Sequence, residues 1–259
     1  MTLLDRFRTQ SRDKHPDPTV RLAFVDELPL DDRATITAIA REDEDARVRR
    51  AAVAKLMAPS ALAVIARDDR DESVRAQAST MLRDIALEAF EDAGEPESLE
   101  AVEEITDTRV LGQIAKSASR EIVALRALSR IDDAHMLGSV ARHGVAEAAR
   151  TQAVESLRAR ADRAELLAVA MNSDYKDSAR AAMESMTDRN ELDQIIARGK
   201  NKSSVKRART IVRDAEEEAA RAAADAAADA RAALMAATSA VLEPEAETAS
   251  PPHGDPLAA

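Results

Sequence analysis

A short motif that recurs along the chain constrains its fold more than any other feature. The clearest copies are Asp-Ala-Arg-Val-Arg at residues 45–49 and Asp-Glu-Ser-Val-Arg at 71–75, and an earlier one is Asp-Pro-Thr-Val-Arg at 17–21. Apolar residues follow each copy at helical spacing. A second periodic segment lies between copies, at residues 36–41 and 62–67. A unit that recurs in this way predicts tandem repeats of two short helices.

The copies start 28, 26, 49, 26, 30 and 26 residues apart, at Val20, Val48, Val74, Val123, Ala149, Ala179 and Val205. One spacing is nearly double, which indicates an insertion at about residues 84–108. Each helix carries one apolar stripe that its own unit cannot bury, but the next stacked unit can cover it. The sequence therefore predicts an all-α protein, an α-solenoid of helix pairs over residues 17–214 that follows a lead-in at residues 1–16.

The pattern at residues 45–52, Asp-x-x-Val-Arg-x-x-Ala, together with Ile-Ala-Arg-Asp at residues 65–68, resembles bacterial HEAT-like repeats. The resemblance covers about residues 17–214 and implies a protein-binding scaffold. The segment 198–209, which precedes a long helical stretch, is similar to the junction between repeats and coiled coil in DUF349-type HEAT proteins. The chain departs from that pattern after Ala240, where a short tail containing proline follows.

One basic residue recurs in most repeats, and it allows two interpretations. The residues concerned are Arg21, Arg49, Arg75, Arg150, Arg180 and Lys206. Such a ladder could line a groove and contact phosphates. However, Asp17, Asp45 and Asp71 stand four residues before their arginines, at helix starts, where aspartate caps free backbone N–H groups. Each arginine can then pair with an aspartate of its own or the next repeat, and we favour this structural ladder.

The predicted insertion is strongly acidic, with ten acids and no base between residues 84 and 108. Gly94 and Pro96 divide it into two helical parts. Its apolar residues should pack on the array; they are Leu87, Phe90, Leu99, Val102 and Ile105. The acidic residues either form a solvated face or attract a basic partner, because charge of one sign steers association. The candidate partner-binding residues are Glu88, Glu91, Asp92, Glu95 and Glu97.

The segment 198–213 has the opposite character, with seven bases and no acid. It is either a charged helix entry or an anion-binding segment. Because no aromatic residues are interleaved, contacts with nucleic acid would reach the phosphate backbone and not stack on bases. The candidate residues are Lys200, Lys202, Lys206, Arg207 and Arg209. Residues 215–240 follow with 15 alanines in 26 positions and should be helical, and residues 241–259 form a predicted disordered tail.

Catalysis finds little support in the sequence. The four histidines occur in no His-Glu pair, and no two have the spacing of a helical metal site. Cysteine is absent, and so is a Gly-x-Ser-x-Gly motif. We therefore predict a protein that is not an enzyme and needs no cofactor or metal.

The absence of a long apolar run and of cysteine favours a cytoplasmic protein that does not enter a membrane. The predicted function is a non-enzymatic scaffold or adaptor for protein–protein interaction on the solenoid surface. The alternative is a nucleic-acid-associated protein that contacts phosphate through residues 198–213. A lesser alternative is a protein similar to the bilin lyases, which are also built from HEAT-like repeats.

The repeat register makes a direct prediction about Leu56. This side chain should be fully buried and contribute about 1.5–3 kcal/mol to stability. Leu56→Asp should therefore lower the thermal and denaturant midpoints of unfolding, measured by circular dichroism. Unchanged midpoints would show that the register is wrong.

Overall fold

The computed structural model describes residues 11–90 and 93–242, without the side chains of residues 239–242. This part of the chain contains fourteen α-helices, one 3-10 helix at Arg12–Lys14 and no strand, so the all-α prediction is confirmed. The α-helices are α1 (Pro18–Glu27), α2 (Arg33–Glu42), α3 (Ala46–Val53), α4 (Pro59–Asp68), α5 (Glu72–Ala86), α6 (Glu95–Glu104), α7 (Thr108–Ser117), α8 (Glu121–Leu128), α9 (Ala134–His143), α10 (Glu147–Ala159), α11 (Arg163–Asn172), α12 (Lys176–Met183), α13 (Arg189–Arg198) and α14 (Lys202–Leu242).

Aspartate begins eight of these helices. In each case the side chain accepts a hydrogen bond from a backbone N–H of the first turn, and such a cap contributes about 0.5–2 kcal/mol. The capping residues are Asp17, Asp32, Asp45, Asp71, Asp107, Asp133, Asp162 and Asp188. Repeated caps at short intervals explain why the chain forms many short helices instead of a few long ones.

The helices of the first compact unit, which extends to Ala208, pack as hairpins and as two rows. The hairpins pair α2 with α3, α4 with α5, α7 with α8, α9 with α10, and α11 with α12. Alternate helices also touch, so the odd-numbered helices α1 to α13 follow one another in one row and the even-numbered helices α2 to α12 in the other. The core lies between the rows, where Val48, Leu56 and Leu62 are fully buried.

The inserted segment adds one helix, α6, and this changes which row carries the motif. The Val-Arg helices before it are α1, α3 and α5, in the odd row, whereas their later counterparts α8, α10 and α12 lie in the even row. Gly94 is the N-cap of α6 and Pro96 lies in its first turn, as the predicted break requires. The buried Ser98 hydroxyl donates to the carbonyl of Ile85 at 3.0 Å, which ties α6 to the end of α5.

The arginines of α1 and α3 link each unit to the next. Arg21 donates from Nε and Nη2 to the carboxylate of Asp43, at 2.8 and 2.9 Å. Arg49, whose side chain is only 2% exposed, makes the same fork to Asp69 at 2.8 and 2.9 Å. Two-pronged arginine–carboxylate bonds of this kind fix both distance and orientation. The partners are thus not the capping aspartates but those two positions before them.

The same guanidinium groups also close the loops of their own units. Nη1 of Arg49 donates to the carbonyl of Asp43 at 2.9 Å, and Nη1 of Arg75 donates to that of Asp69 at 2.6 Å. Arg150 repeats this bond with the carbonyl of Gly144 at 3.1 Å. Nη1 of each of these three arginines is thereby satisfied within the protein, whereas Nε of Arg150 is buried and has no hydrogen-bond partner among the described residues.

Arg150 reaches the next unit in a different way. Its Nη2 lies 3.1 Å from Oδ2 of Asp177, and its guanidinium carbon is 3.6 Å from the centre of the Tyr175 ring. A guanidinium stacked on an aromatic face gains a cation–π attraction. The contact therefore replaces part of the fork that Asp43 and Asp69 provide earlier in the chain.

Arg180 and Lys206 do not belong to the ladder. Helix α12 begins after Tyr175, so the fourth position, equivalent to Arg49, is Ala179, which is fully buried, and Arg180 is exposed. In α14 the equivalent position is Val205, and Lys206 is exposed. The register assigned from sequence is wrong by one residue here because the apolar residue of the motif is replaced by a buried serine, Ser178 in α12 and Ser204 in α14.

Helix α14 is 41 residues long and crosses the predicted boundary at residues 214/215 without interruption. The chain divides into compact units between Ala208 and Arg209, inside this helix. The side chains of residues 213–238 are exposed. Of the predicted disordered tail, residues 243–259 lie outside the described part. No helix of the described residues combines the length and apolar character that a membrane span demands.

The buried fork of Arg49 predicts a large loss of stability on its removal. Arg49→Met should lower the free energy of unfolding by about 3–5 kcal/mol, because Asp69 would be left as an unpaired buried charge. The matched control Arg180→Met, at an exposed position, should change it by less than about 0.5 kcal/mol. Denaturant titration measures both, and equal losses would contradict the structural role of Arg49.

Asp69 also predicts how stability depends on pH. Burial alone would raise the pKa of this carboxyl, but the hydrogen bonds from Arg49 and from the Asp71 amide lower it below its ordinary value of 3.8. A lowered pKa in the folded state stabilises the protein above the unfolded-state pKa, and this gain is lost as pH falls through the folded-state pKa. The free energy of unfolding should therefore decrease below about pH 4.

The variant Asp69→Asn should be less stable at neutral pH but should lose less stability on acidification. Denaturant titrations at several pH values between neutrality and strong acid measure this slope. A variant with the same slope as the unsubstituted protein would show that the Asp69 carboxylate contributes nothing to the pH dependence.

Candidate partner-binding surfaces

The acidic residues of the insertion are largely engaged with residues of the chain itself. Glu88, which has a positive φ of 61°, accepts a hydrogen bond from the Arg120 amide at 3.3 Å. Glu97 lies 3.6 Å from Nη2 of Arg33. Glu95 is exposed. The remaining two candidates, Glu91 and Asp92, lie outside the described residues.

Other carboxylates of the insertion cap or pair with nearby helices. Glu100 accepts a hydrogen bond from the Ser60 amide at 3.3 Å, which caps the start of α4. Glu103 pairs with Arg126, and this hydrogen bond lowers the pKa of the Glu103 carboxyl. Asp107 caps α7. Several acidic residues of the insertion thus cap or pair with neighbouring helices, and only some of the acidic side chains face solvent.

The basic candidates are all exposed. They are Lys200, Lys202, Lys206, Arg207 and Arg209. Arg213, farther along α14, lies 3.0 Å from Asp214 and 3.6 Å from Glu217. Solvent exposure leaves Lys200, Lys202, Arg207 and Arg209 accessible to an anion, but the chain divides into two units between Ala208 and Arg209.

A groove of about 460 Å³ lies between α7 and α9, where no candidate was predicted. It is lined by Arg109, Gly112, Gln113, Lys116, Ser117, His135, Met136 and Ser139. Four of these residues belong to α7 and stand at positions i, i+3, i+4 and i+7, so they share one helix face. They are Arg109, Gly112, Gln113 and Lys116. Within residues 11–90 and 93–242, the side chains of Arg109 and Lys116, which line this groove, form no ion pair.

A second groove of about 390 Å³ lies between α8 and α10, in the other row. Three of its lining residues are glutamates: Glu121, Glu147 and Glu155. Neighbouring helices of the two rows therefore present opposite charge. A repeat array can offer such distinct surfaces because each joint between helices is lined by different residues.

The sequence contained a signal for the α7 groove that the motif search missed. Residues 111–116, Leu-Gly-Gln-Ile-Ala-Lys, match residues 62–67, Leu-Ala-Val-Ile-Ala-Arg, at the apolar and basic positions. Aligning the two segments identifies α7 as an ordinary repeat helix. In this alignment Lys116 takes the position of Arg67, in the last turn of a repeat helix and outside the insertion.

Two of the three described histidines lie against carboxylates, whereas Nδ1 of the third, His15, accepts a hydrogen bond from the Asp17 amide at 3.0 Å. Nδ1 of His135 lies 2.9 Å from Oε1 of Glu165, and Nδ1 of His143 lies 2.6 Å from Oδ2 of Asp174. In the part of the chain that the structure covers, no three histidines or acids are grouped as metal ligands would be.

Comparison with known proteins adds no family assignment. No protein-family model matches the chain, and no curated protein matches it.

Proposed function

We propose that the first unit is an α-solenoid of HEAT-like repeats that acts as a non-enzymatic scaffold and binds another protein on its surface. The observation that carries this proposal is the groove between α7 and α9, where Arg109 and Lys116 line the wall and form no ion pair with a described residue. Basic side chains without a bound carboxylate suit a partner of complementary charge.

The packing of the helices supports a scaffold. Two rows of helices with contacts between alternate members are the arrangement that a stacked array of helix pairs requires. The buried fork of Arg49 and Asp69 and the capped helix starts hold the rows in one geometry. A preorganised surface loses little conformational entropy on binding, which favours recognition by shape and charge.

A second function is supported by the exposure of the five basic candidates near the start of α14. Under this alternative the chain associates with nucleic acid, and Lys200, Lys202 and Arg207 contact phosphates. Such binding would weaken steeply with salt because counterions are released from the nucleic acid. Two further predictions from the sequence stay predictions, namely the bilin-lyase-like alternative and the similarity to DUF349-type proteins. The scaffold proposal includes action in the cytoplasm.

Affinity capture from source lysate distinguishes the two functions. The full chain serves as bait at low and moderate salt, with and without nuclease, and captured material is identified by mass spectrometry. The scaffold proposal predicts a stoichiometric protein that remains after nuclease treatment and at moderate salt. Loss of all specific material on nuclease treatment would contradict the scaffold and support nucleic-acid association.

A bait in which three basic side chains are replaced by uncharged glutamine provides the control. The variant Lys200→Gln/Lys202→Gln/Arg207→Gln changes only exposed side chains and should fold normally. If the scaffold proposal holds, this bait captures the same protein in the same amount. If these basic residues bind nucleic acid, the substituted bait captures less nucleic acid than the unsubstituted bait at both salt concentrations.

A further inference from the structure

The joint between α9 and α11 shows how this array neutralises its own cations. Glu165, on α11, places Oε1 2.9 Å from Nδ1 of His135 and Oε2 2.7 Å from Nη1 of Arg142, both on α9. Only 17% of the Glu165 side chain and 11% of the Arg142 side chain are exposed. One carboxylate of the following helix thus contacts two basic side chains of the preceding helix.

Gly138 makes room for this carboxylate. A Cβ atom at residue 138 would overlap Oε2 of Glu165. The carboxylate therefore rests directly over the backbone of α9. The joint is a template with four parts, which are two basic side chains, a glycine gap and a carboxylate.

The joint between α7 and α9 contains three of these four parts. The capping residues Asp107, Asp133 and Asp162 give the register of α7, α9 and α11. Counted from these caps, Arg109 corresponds to His135, Lys116 to Arg142, and Gly112 to Gly138. The position of Glu165 is taken in α9 by Met136, whose amide donates to its capping aspartate as that of Glu165 does.

We propose that the α7–α9 groove binds the carboxylate side chain of an acidic peptide segment of a partner protein, held by Arg109 and Lys116 over Gly112. This inference rests on the proposed scaffold function and deepens it, because it names the surface and the chemistry of the partner. The Met136 side chain covers Gly112, with Sδ 3.4 Å from the place of a Cβ atom at that residue, so the incoming carboxylate binds between Arg109 and Lys116 where this flexible side chain moves aside.

The groove favours a peptide over a free anion. Its volume is about 460 Å³, and its lining residues come from two helices. The Met136 side chain offers a flexible apolar surface for the methylene groups of a glutamate. Gln113, Ser117 and Ser139 add groups that can hydrogen-bond to a peptide backbone.

Two substitutions of one residue test the proposal. The probe is a short fluorescein-labelled peptide of alternating glutamate and serine, and binding to the full chain is measured by anisotropy at low salt. Met136→Glu supplies the missing carboxylate from within and should weaken peptide binding about fivefold or more. Met136→Gln has nearly the same shape as Met136→Glu without the charge and should bind the peptide more tightly than Met136→Glu, so the difference between these two variants isolates the effect of the charge.

A second pair of variants removes the cations. Arg109→Gln/Lys116→Gln should weaken binding at least as much as Met136→Glu, whereas Arg50→Gln/Arg180→Gln, at exposed positions outside the groove, should leave it unchanged. The peptide in which glutamine replaces glutamate should bind to none of these proteins. Thermal unfolding of each variant verifies that it is folded.

Several results would overturn the groove assignment. These are no binding of the acidic peptide to the unsubstituted chain at millimolar concentration, equal binding by Met136→Glu and Met136→Gln, or tighter binding of tripolyphosphate than of the peptide. If Met136→Glu still captures the lysate partner in full amount, the groove assignment fails while the scaffold function stands. If no protein is captured at all but the peptide binds to the groove, the scaffold function fails instead.

Discussion

Every helix pair in this chain must cover the apolar stripe of its neighbour, and the fold follows from that constraint. A helix of eight to fifteen residues buries too little surface to stand alone. Side chains such as Leu56 and Leu62, fully buried, contribute about 1.5–3 kcal/mol each only when the next pair is in place. Burial of this kind is not directional, so it does not by itself set the register between pairs. The forks from Arg21 to Asp43 and from Arg49 to Asp69 supply that register.

The single inserted helix connects this packing rule to the binding surface. Because α6 shifts the later helices by one place, the helices without the arginine motif, α7, α9, α11 and α13, continue the row that α1, α3 and α5 began. In two successive joints between these helices, a carboxylate of the following helix pairs with an arginine of the preceding helix. These carboxylates belong to Glu165 and Glu191. The joint that lacks one retains its cations, and a partner can complete it. A binding surface arises here from the omission of a stabilising pair.

Much of the fold could be predicted from sequence because it depends on local, periodic signals. Aspartate before a Val-Arg helix predicted the caps at Asp17, Asp45 and Asp71, and Gly94 with Pro96 predicted the break before α6. The register failed at Arg180 because the buried apolar position of the motif is Ser178, which a search for apolar periodicity passes over. The partners of Arg21 and Arg49 were not specified because either of two aspartates in Asp-x-Asp could accept the fork.

The candidate surfaces were harder to predict because they depend on residues that meet only after packing. Ten acids in the insertion suggested a docking patch, yet Glu97, Glu100 and Glu103 contact residues far away in sequence. Conversely, Arg109 and Lys116 look like ordinary surface charges in the sequence. Their character depends on Met136, which stands where a glutamate closes the next joint, and this comparison requires the helix register.

Hydrogen exchange of Arg49→Met, followed by mass spectrometry, tests whether each helix pair is stabilised mainly by its neighbours. If it is, loss of the fork accelerates exchange in α1 to α5. Helices α9 to α13 then keep the protection that they have in the unsubstituted protein. An equal acceleration in all of these helices would contradict it and show that the described helices of the first unit open as one cooperative body.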